Sequence, residues 1–235
     1  MDLPKMYQVK LVTKYMLNSR DLFVEYSLVN PTEMHFIPGQ FINLNVAENT
    51  YRAYSIASPA NEIIKLGFVI SVDQPGIGAN YLKNSQIGDQ TKIIGPSGRF
   101  ILPQNLFRDL VFVATGTGLA PYIPIFHKLV EQKYLGKIKL YFGARNETEL
   151  FFIDKLDYFK QNLNLEYIIC LSQPSAEWSQ PMGRVTDLFD KNDVVNKQFF
   201  LCGHPAMIDD MQNVLLSSKV DKSNIFHEKF TVNKK

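Results

Sequence analysis

The run Arg52-Ala53-Tyr54-Ser55 places three chemistries side by side: a guanidinium that can pair with phosphate, an aromatic face that can lie along a flat ring, and a hydroxyl that can hydrogen-bond a ring nitrogen. Farther along, the apolar run Leu110-Val111-Phe112-Val113-Ala114 leads into Thr115-Gly116-Thr117-Gly118-Leu119-Ala120-Pro121. A strand, a tight glycine turn and a helix start suit a pyrophosphate, because free backbone amides and the helix dipole both favour anions. Pro121 stands where the dinucleotide fingerprint has its third glycine, and it fits a first helical turn that needs no amide hydrogen there. A second glycine-rich turn, Gln74-Pro75-Gly76-Ile77-Gly78-Ala79-Asn80-Tyr81-Leu82, is also fit for phosphate. Singly, these segments read equally well as a surface arginine beside a packed tyrosine, a tight α/β connection and a hairpin exit. Two phosphate-fit turns in two different structural settings are harder to dismiss.

The segment Leu201-Cys202-Gly203-His204-Pro205-Ala206-Met207 ends a strand-like run and opens a helix, which puts it on the carboxyl edge of the same sheet as the first turn, where ligands bind in open α/β sheets. Cys202 reads either as a small buried hydrophobe or as a residue facing a reacting ring. The 4 histidines, His204 among them, have no paired spacing, so no metal site is expected. Strand alternation puts Arg52 and Tyr54 on one face and Ser55 on the other, a conflict that a twisted strand end would relieve.

These residues need a scaffold of two kinds. Stretches 7–13, 22–28, 40–46, 51–56, 66–71 and 91–95 are short β-rich runs separated by turns at Pro31, Pro38-Gly39, Pro75-Gly76 and Pro96-Ser97-Gly98, which predicts a small antiparallel β-barrel. Beyond Pro103, strand-like 110–114, 138–142, 165–171 and 198–201 alternate with helical stretches, clearest over 122–132 and 205–217, which predicts an α/β parallel sheet. The expected organisation is two-domain, an N-terminal antiparallel β-barrel over 1–104 and a C-terminal α/β domain over 105–235. With 235 residues and 46% hydrophobic content, both cores can be filled. The 25 basic and 23 acidic residues are spread through the chain, so no nucleic-acid footprint stands out. Cys170 and Cys202 are the only cysteines, too few for a four-thiolate iron-sulfur or zinc site. Met1-Asp2-Leu3-Pro4-Lys5 lacks an apolar signal core and no run approaches the ~20 apolar residues of a membrane span, so a soluble, cytoplasmic protein with no membrane partner is expected.

Over nearly its whole length the chain resembles the ferredoxin-NADP reductase family, flavoproteins with an N-terminal flavin barrel and a C-terminal nicotinamide domain. The resemblance is carried by Phe36-Ile37-Pro38-Gly39-Gln40-Phe41, the Arg52 to Ser55 run, Gly95-Pro96-Ser97-Gly98-Arg99-Phe100, the Thr115 to Pro121 turn, Tyr141-Phe142-Gly143-Ala144-Arg145 and Cys202-Gly203-His204-Pro205. It implies that Arg52 contacts the flavin phosphates, that Ala53 lines the FAD site, that Tyr54 flanks the isoalloxazine, and that Ser55 sits near its N5 atom. Gly76, Gly78, Ala79 and Asn80 match the pyrophosphate turn. Ala79 stands where many relatives carry serine, which leaves FAD favoured over FMN but less firmly. Phe230 and the residues after it match terminal segments that cover the flavin in some relatives. Cys202 and Glu228 match positions near the nicotinamide and, with Ser55, would tune the transfer rather than form covalent intermediates.

By the same resemblance Thr115, Gly116, Thr117, Gly118, Pro121, Arg145, Ser172, Gln173, Cys202, Gly203, Pro205 and Met207 would hold NAD(P)H. Relatives that use NADPH commonly place an arginine after the serine or threonine ending the third nucleotide-domain strand; this chain has Leu171-Ser172-Gln173-Pro174, which favours NADH slightly, with Arg145 and Arg184 able to supply charge. The implied activity is hydride transfer from nicotinamide to FAD, with onward electrons to a ferredoxin, a flavodoxin or an oxygenase component. Alternatives are a reductase that treats free flavin as substrate and a non-catalytic docking or regulatory subunit.

Overall fold

A computed structural model describes residues 3–230 of the chain. The first strands alternate: Tyr7, Val9 and Leu11 of β1 (Lys5–Met16) and Leu22, Val24, Tyr26 and Leu28 of β2 (Asp21–Asn30) point inward while their neighbours face outward. This period of two makes each strand half-buried and selects an antiparallel sheet. With β3 (Phe41–Ala47), β4 (Thr50–Ser55), β5 (Lys65–Ser71) and β6 (Gln90–Ser97) it forms a six-stranded sheet of order β4-β3-β6-β1-β2-β5. Its two edges meet through a single bridge, Ile56 to Phe68, extended by the Ala57 N–H donating to the Gly67 carbonyl at 2.8 Å. The predicted barrel is therefore a curled sheet closed by one short seam. Helix α1 (Ile77–Asn84) spans the connection from β5 to β6 and buries Gly78, Ala79 and Leu82, two of which join the barrel core.

The second sheet is five-stranded and wholly parallel: β7 (Asp109–Thr115), β8 (Lys137–Ala144), β9 (Leu165–Leu171), β10 (Lys197–Gly203) and β11 (Ile225–Lys229), in the order β11-β10-β7-β8-β9. The helices along this part of the chain are α2 (Tyr122–Glu131), most of which falls in the first unit, and α3 (Ile153–Asn162), α4 (Val185–Leu188) and α5 (Pro205–Ser217), which belong with the parallel sheet. The central strand β7 buries five consecutive residues, Leu110 to Ala114, as a strand covered on both faces must. One face joins Val111, Val113, Phe199 and Leu201 to Met207, Ile208, Met211 and Leu215 of α5. On the other, Phe200 stacks between Phe112 and Phe226, with centroids at 4.8 and 4.9 Å and planes within 16° and 12° of parallel.

Strand β11 is the element that sequence patterning passes over. It is an edge strand with His227 and Lys229 exposed, so it carries no apolar run to announce it. The chain divides into two compact units, one running through Leu102 and taking in Ala120–Lys128, the other comprising Pro103–Leu119 and the chain from Leu129 onward. Among the described residues no helix is long and apolar enough to cross a membrane.

Candidate functional site

In the first unit, register pairs Arg52 with Leu44 and Tyr54 with Ile42, so both side chains leave the same face of β4; Ser55 turns the other way and is buried. The register thus keeps Ser55 on the face opposite Arg52 and Tyr54 up to the last residue of the strand. Helix α1 begins against that arginine and tyrosine. A Cβ on Gly78 would overlap the Tyr54 Oη and stand 3.3 Å from Arg52 Cγ, so only glycine lets the first turn of α1 approach so closely. Burial pushes the Tyr54 phenol up to about 12, partly opposed by the Arg52 charge, so the hydroxyl is a neutral donor at physiological pH. Arg52 itself is exposed, with Nη1 donating to the Tyr51 carbonyl at 2.9 Å.

The N-cap of α1 is Gly76, which offers no side-chain hydrogen bond, and no acidic residue occupies the first turn. The leading amides therefore have no side-chain anion to answer them, while Arg52 adds positive charge alongside. Asn80 is exposed, its backbone N–H donating to the Gly76 carbonyl at 2.8 Å, and Ala79 is packed in the barrel core. A side-chain-free helix start beside a guanidinium and a tyrosine face is the right donor set for the phosphates and ring of a flavin nucleotide.

The second unit builds its site at the point where strand order reverses. From β7 the chain proceeds outward through β8 and β9, then returns to place β10 on the other side of β7. Such a switch opens a crevice at the carboxyl ends of the two diverging strands. The two glycine motifs meet there. A Cβ on Gly118 would overlap the Cys202 carbonyl oxygen and sit 2.8 Å from Gly203 Cα; one on Gly203 (φ +134°) would overlap Thr115 Oγ1 and stand 2.7 Å from the Thr115 carbonyl oxygen. Thr115 Oγ1 accepts the His204 N–H at 3.0 Å, locking one turn to the other. Gly116 has φ +52° with open space where a Cβ would stand, and Thr117 is half-buried next to it. A short 3-10 turn, Gly116–Leu119, and buried Pro121 then lead into α2. An open, left-handed glycine beside backbone-to-backbone packing fits a pyrophosphate that must approach the main chain.

Ala114, Cys202 and Glu228 are register partners across β7, β10 and β11, two residues beyond the stacked phenylalanines. Cys202 is fully buried, and burial first, then the Glu228 carboxylate, push its thiol well above the ordinary value. It stays protonated and is no nucleophile. Phe230 donates its backbone N–H to the Gly203 carbonyl at 3.2 Å; Thr231 to Lys235, also anticipated over the flavin, lie outside the described residues. Pro205 is the first residue of α5, and the His204 Nδ1 caps that helix by accepting the Ala206 N–H at 3.2 Å. Met207 is buried in the core beneath α5.

Arg145, Ser172 and Gln173 come together where β8 and β9 end: the Ser172 N–H donates to the Ala144 carbonyl and the Gln173 N–H to that of Arg145, at 3.1 and 2.7 Å. Two carboxylates that sequence reading missed occupy the same place. Glu149 pairs with the Arg145 guanidinium at 2.9 Å, and Glu147 accepts both the Ser175 N–H and its hydroxyl at 2.9 and 2.7 Å. The four-residue spacing of Arg145 and Glu149 was a legible signal for the first; nothing in the sequence announced the second.

Comparison with known proteins matches residues 8–101 to an oxidoreductase FAD-binding domain and residues 112–213 to an oxidoreductase NAD-binding domain. The electron transfer component of anthranilate 1,2-dioxygenase from Acinetobacter baylyi is 30% identical over 203 residues, covering 84% of this chain and 59% of that protein. The reductase component of phenol 2-monooxygenase from a Pseudomonas species is 29% identical over 206 residues, covering 84% and 58%. The chain thus spans a little under three fifths of the length of these two relatives. Among solved structures, a ferredoxin NADP+ reductase from Neisseria gonorrhoeae with bound FAD and NADP superposes with a TM-score of 0.83 at 21% identity, covering 97% of this chain and 99% of that one. The ferredoxin reductase of carbazole 1,9a-dioxygenase gives 0.86 at 21%, covering 97% and 70%.

Proposed function

This chain belongs to the ferredoxin-NADP reductase-like family of oxidoreductases, assembled from an FAD-binding and an NAD-binding domain, and from that premise we propose that it oxidises NADH through bound FAD and delivers the electrons to an oxygenase component or a small carrier protein. The observation that carries the reading is the pair of side-chain-free phosphate cradles, Gly78 beneath Tyr54 and Arg52 in one unit and Gly116 to Gly118 against Cys202 and Gly203 in the other. Bound FAD supplies an acceptor that takes two electrons together and releases them singly. The chain supplies the rest. Arg52 and the amides from Gly76 to Ala79 neutralise the flavin phosphates, Tyr54 braces the ring, and Ser55 offers a hydroxyl at its reacting edge.

Thr115 to Gly118 and Gly203 hold the nicotinamide pyrophosphate, while the protonated Cys202 thiol and Glu228 border the reacting end. A neutral thiol there excludes water without competing as a nucleophile. NADH is favoured over NADPH because Arg145, whose carbonyl accepts the Gln173 N–H just past β9, is already engaged by Glu149, and Glu147 holds Ser175. A 2′-phosphate would meet those carboxylates, and like charge repels it. An oxygenase component is favoured as acceptor by the relatives named above.

The test is the visible spectrum of the purified protein during anaerobic addition of NADH and, on a fresh sample, NADPH. A flavin band bleached faster by NADH supports the proposal. Protein that retains no added FAD and oxidises neither nucleotide overturns it.

A further inference from the structure

We propose that Lys14 is a positioning residue for flavin phosphate binding, acting through the far end of α1. This rests on the reading of the α1 N-terminus as the phosphate site. At eight residues, α1 is too short to hold itself together or in place, so ties to the barrel decide where its leading amides stand. Burial of Gly78, Ala79 and Leu82, with Tyr81 packed against the core, fixes one face, and polar ties hold the C-terminus.

There the orphan carbonyls are answered one by one. The Ser85 hydroxyl donates to the Leu82 carbonyl at 2.9 Å, and the Lys14 ammonium, reaching across from β1, donates to the carbonyls of Lys83 and Ser85 at 2.8 and 2.6 Å. Lys14 is held in register with Val24 of β2, so its clamp ties α1 to the paired interior of the sheet. A cation at this end also has the sign that the helix dipole favours. The opposite end has no side-chain cap and no acid, and is left for an external anion. Eight residues make a rod of about 12 Å, so freeing its C-terminal end tilts the amides at the other.

The test uses the full chain freed of flavin, with riboflavin, FMN and FAD as probes of binding. Lys14→Met keeps the aliphatic stem and removes the ammonium. It is expected to weaken FMN and FAD by about tenfold, the value of charge-assisted hydrogen bonds lost, while riboflavin changes by less than about twofold. Lys14→Arg is expected to restore most of the loss. Ser85→Ala, which strips the hydroxyl from the same helix end, should weaken the two phosphate-bearing flavins in the same direction by about threefold and decides the matter if Lys14→Met does not fold. Unchanged binding of all three flavins overturns the proposal, and so does an equal loss for riboflavin, which marks general loosening. A wild-type chain that binds none of the three removes the flavin reading itself, an outcome distinct from either.

Discussion

Gly118 packs so close to the carbonyl of Cys202 that the smallest side chain would overlap the carbonyl oxygen and stand 2.6 Å from its carbon. Both partners are main chain and neither can swing aside. Gly118→Ala is therefore expected to cost about 1–3 kcal/mol of stability and to weaken NADH binding by more than tenfold, with flavin content retained. Gly116→Ala meets open space and pays only for a left-handed residue, about 1–2 kcal/mol. Denaturation curves and NADH titrations of the two variants should separate clash from strain; equal behaviour would remove the close approach from the explanation.

Gly78 faces a different obstacle, the hydroxyl tip of Tyr54, which can move. Gly78→Ala should fold normally yet bind FAD about tenfold more weakly, because the displaced phenol takes up ring space. Tyr54→Phe removes the obstructing oxygen. The double variant is then expected to bind FAD better than Gly78→Ala alone, and a coupling of zero between the two changes would count against direct contact in solution.

Alkaline stability should report the buried thiols. The Cys202 thiol is raised by burial and by Glu228, and that of Cys170 is pushed up to about 11 by burial and then by Asp187, against an ordinary value of 9.0. Folded-state values above the unfolded ones mean that stability is complete below about pH 9 and falls as pH rises toward the folded values, since the unfolded chain releases these protons first. Urea denaturation between pH 9 and 10, below the range where Tyr54 at about 12 contributes, should show the decline, and Cys202→Ala should reduce its slope. A slope that this variant leaves intact would assign the decline to other groups.

Nucleotide choice should respond to the carboxylate that occupies Arg145. Glu149→Gln frees the guanidinium from its 2.9 Å partner and is expected to raise the ratio of kcat/KM for NADPH over NADH by about threefold, the modest value of a half-exposed ion pair. Steady-state kinetics with both nucleotides measures it. A ratio unchanged by the substitution would move the discrimination elsewhere in the loop after β9.

The sequence by itself determined the two sheets and the turns that serve them. Alternation at Tyr7, Val9 and Leu11 and the unbroken run from Leu110 to Ala114 are local patterns, and local periodicity reports which faces are buried. The same holds for the glycine turns and for Arg52 and Tyr54 sharing a face. Tertiary structure alone decided which distant groups meet. Lys14 reaches carbonyls 69 and 71 positions away, Thr115 holds the amide of His204, 89 positions away, and Glu147 takes the Ser175 hydroxyl across 28. Edge strand β11, which sets Glu228 beside Cys202, was equally hidden. Such contacts depend on how sheets curl and strands order themselves, and a hydrogen bond between single polar groups leaves no periodic trace along the chain.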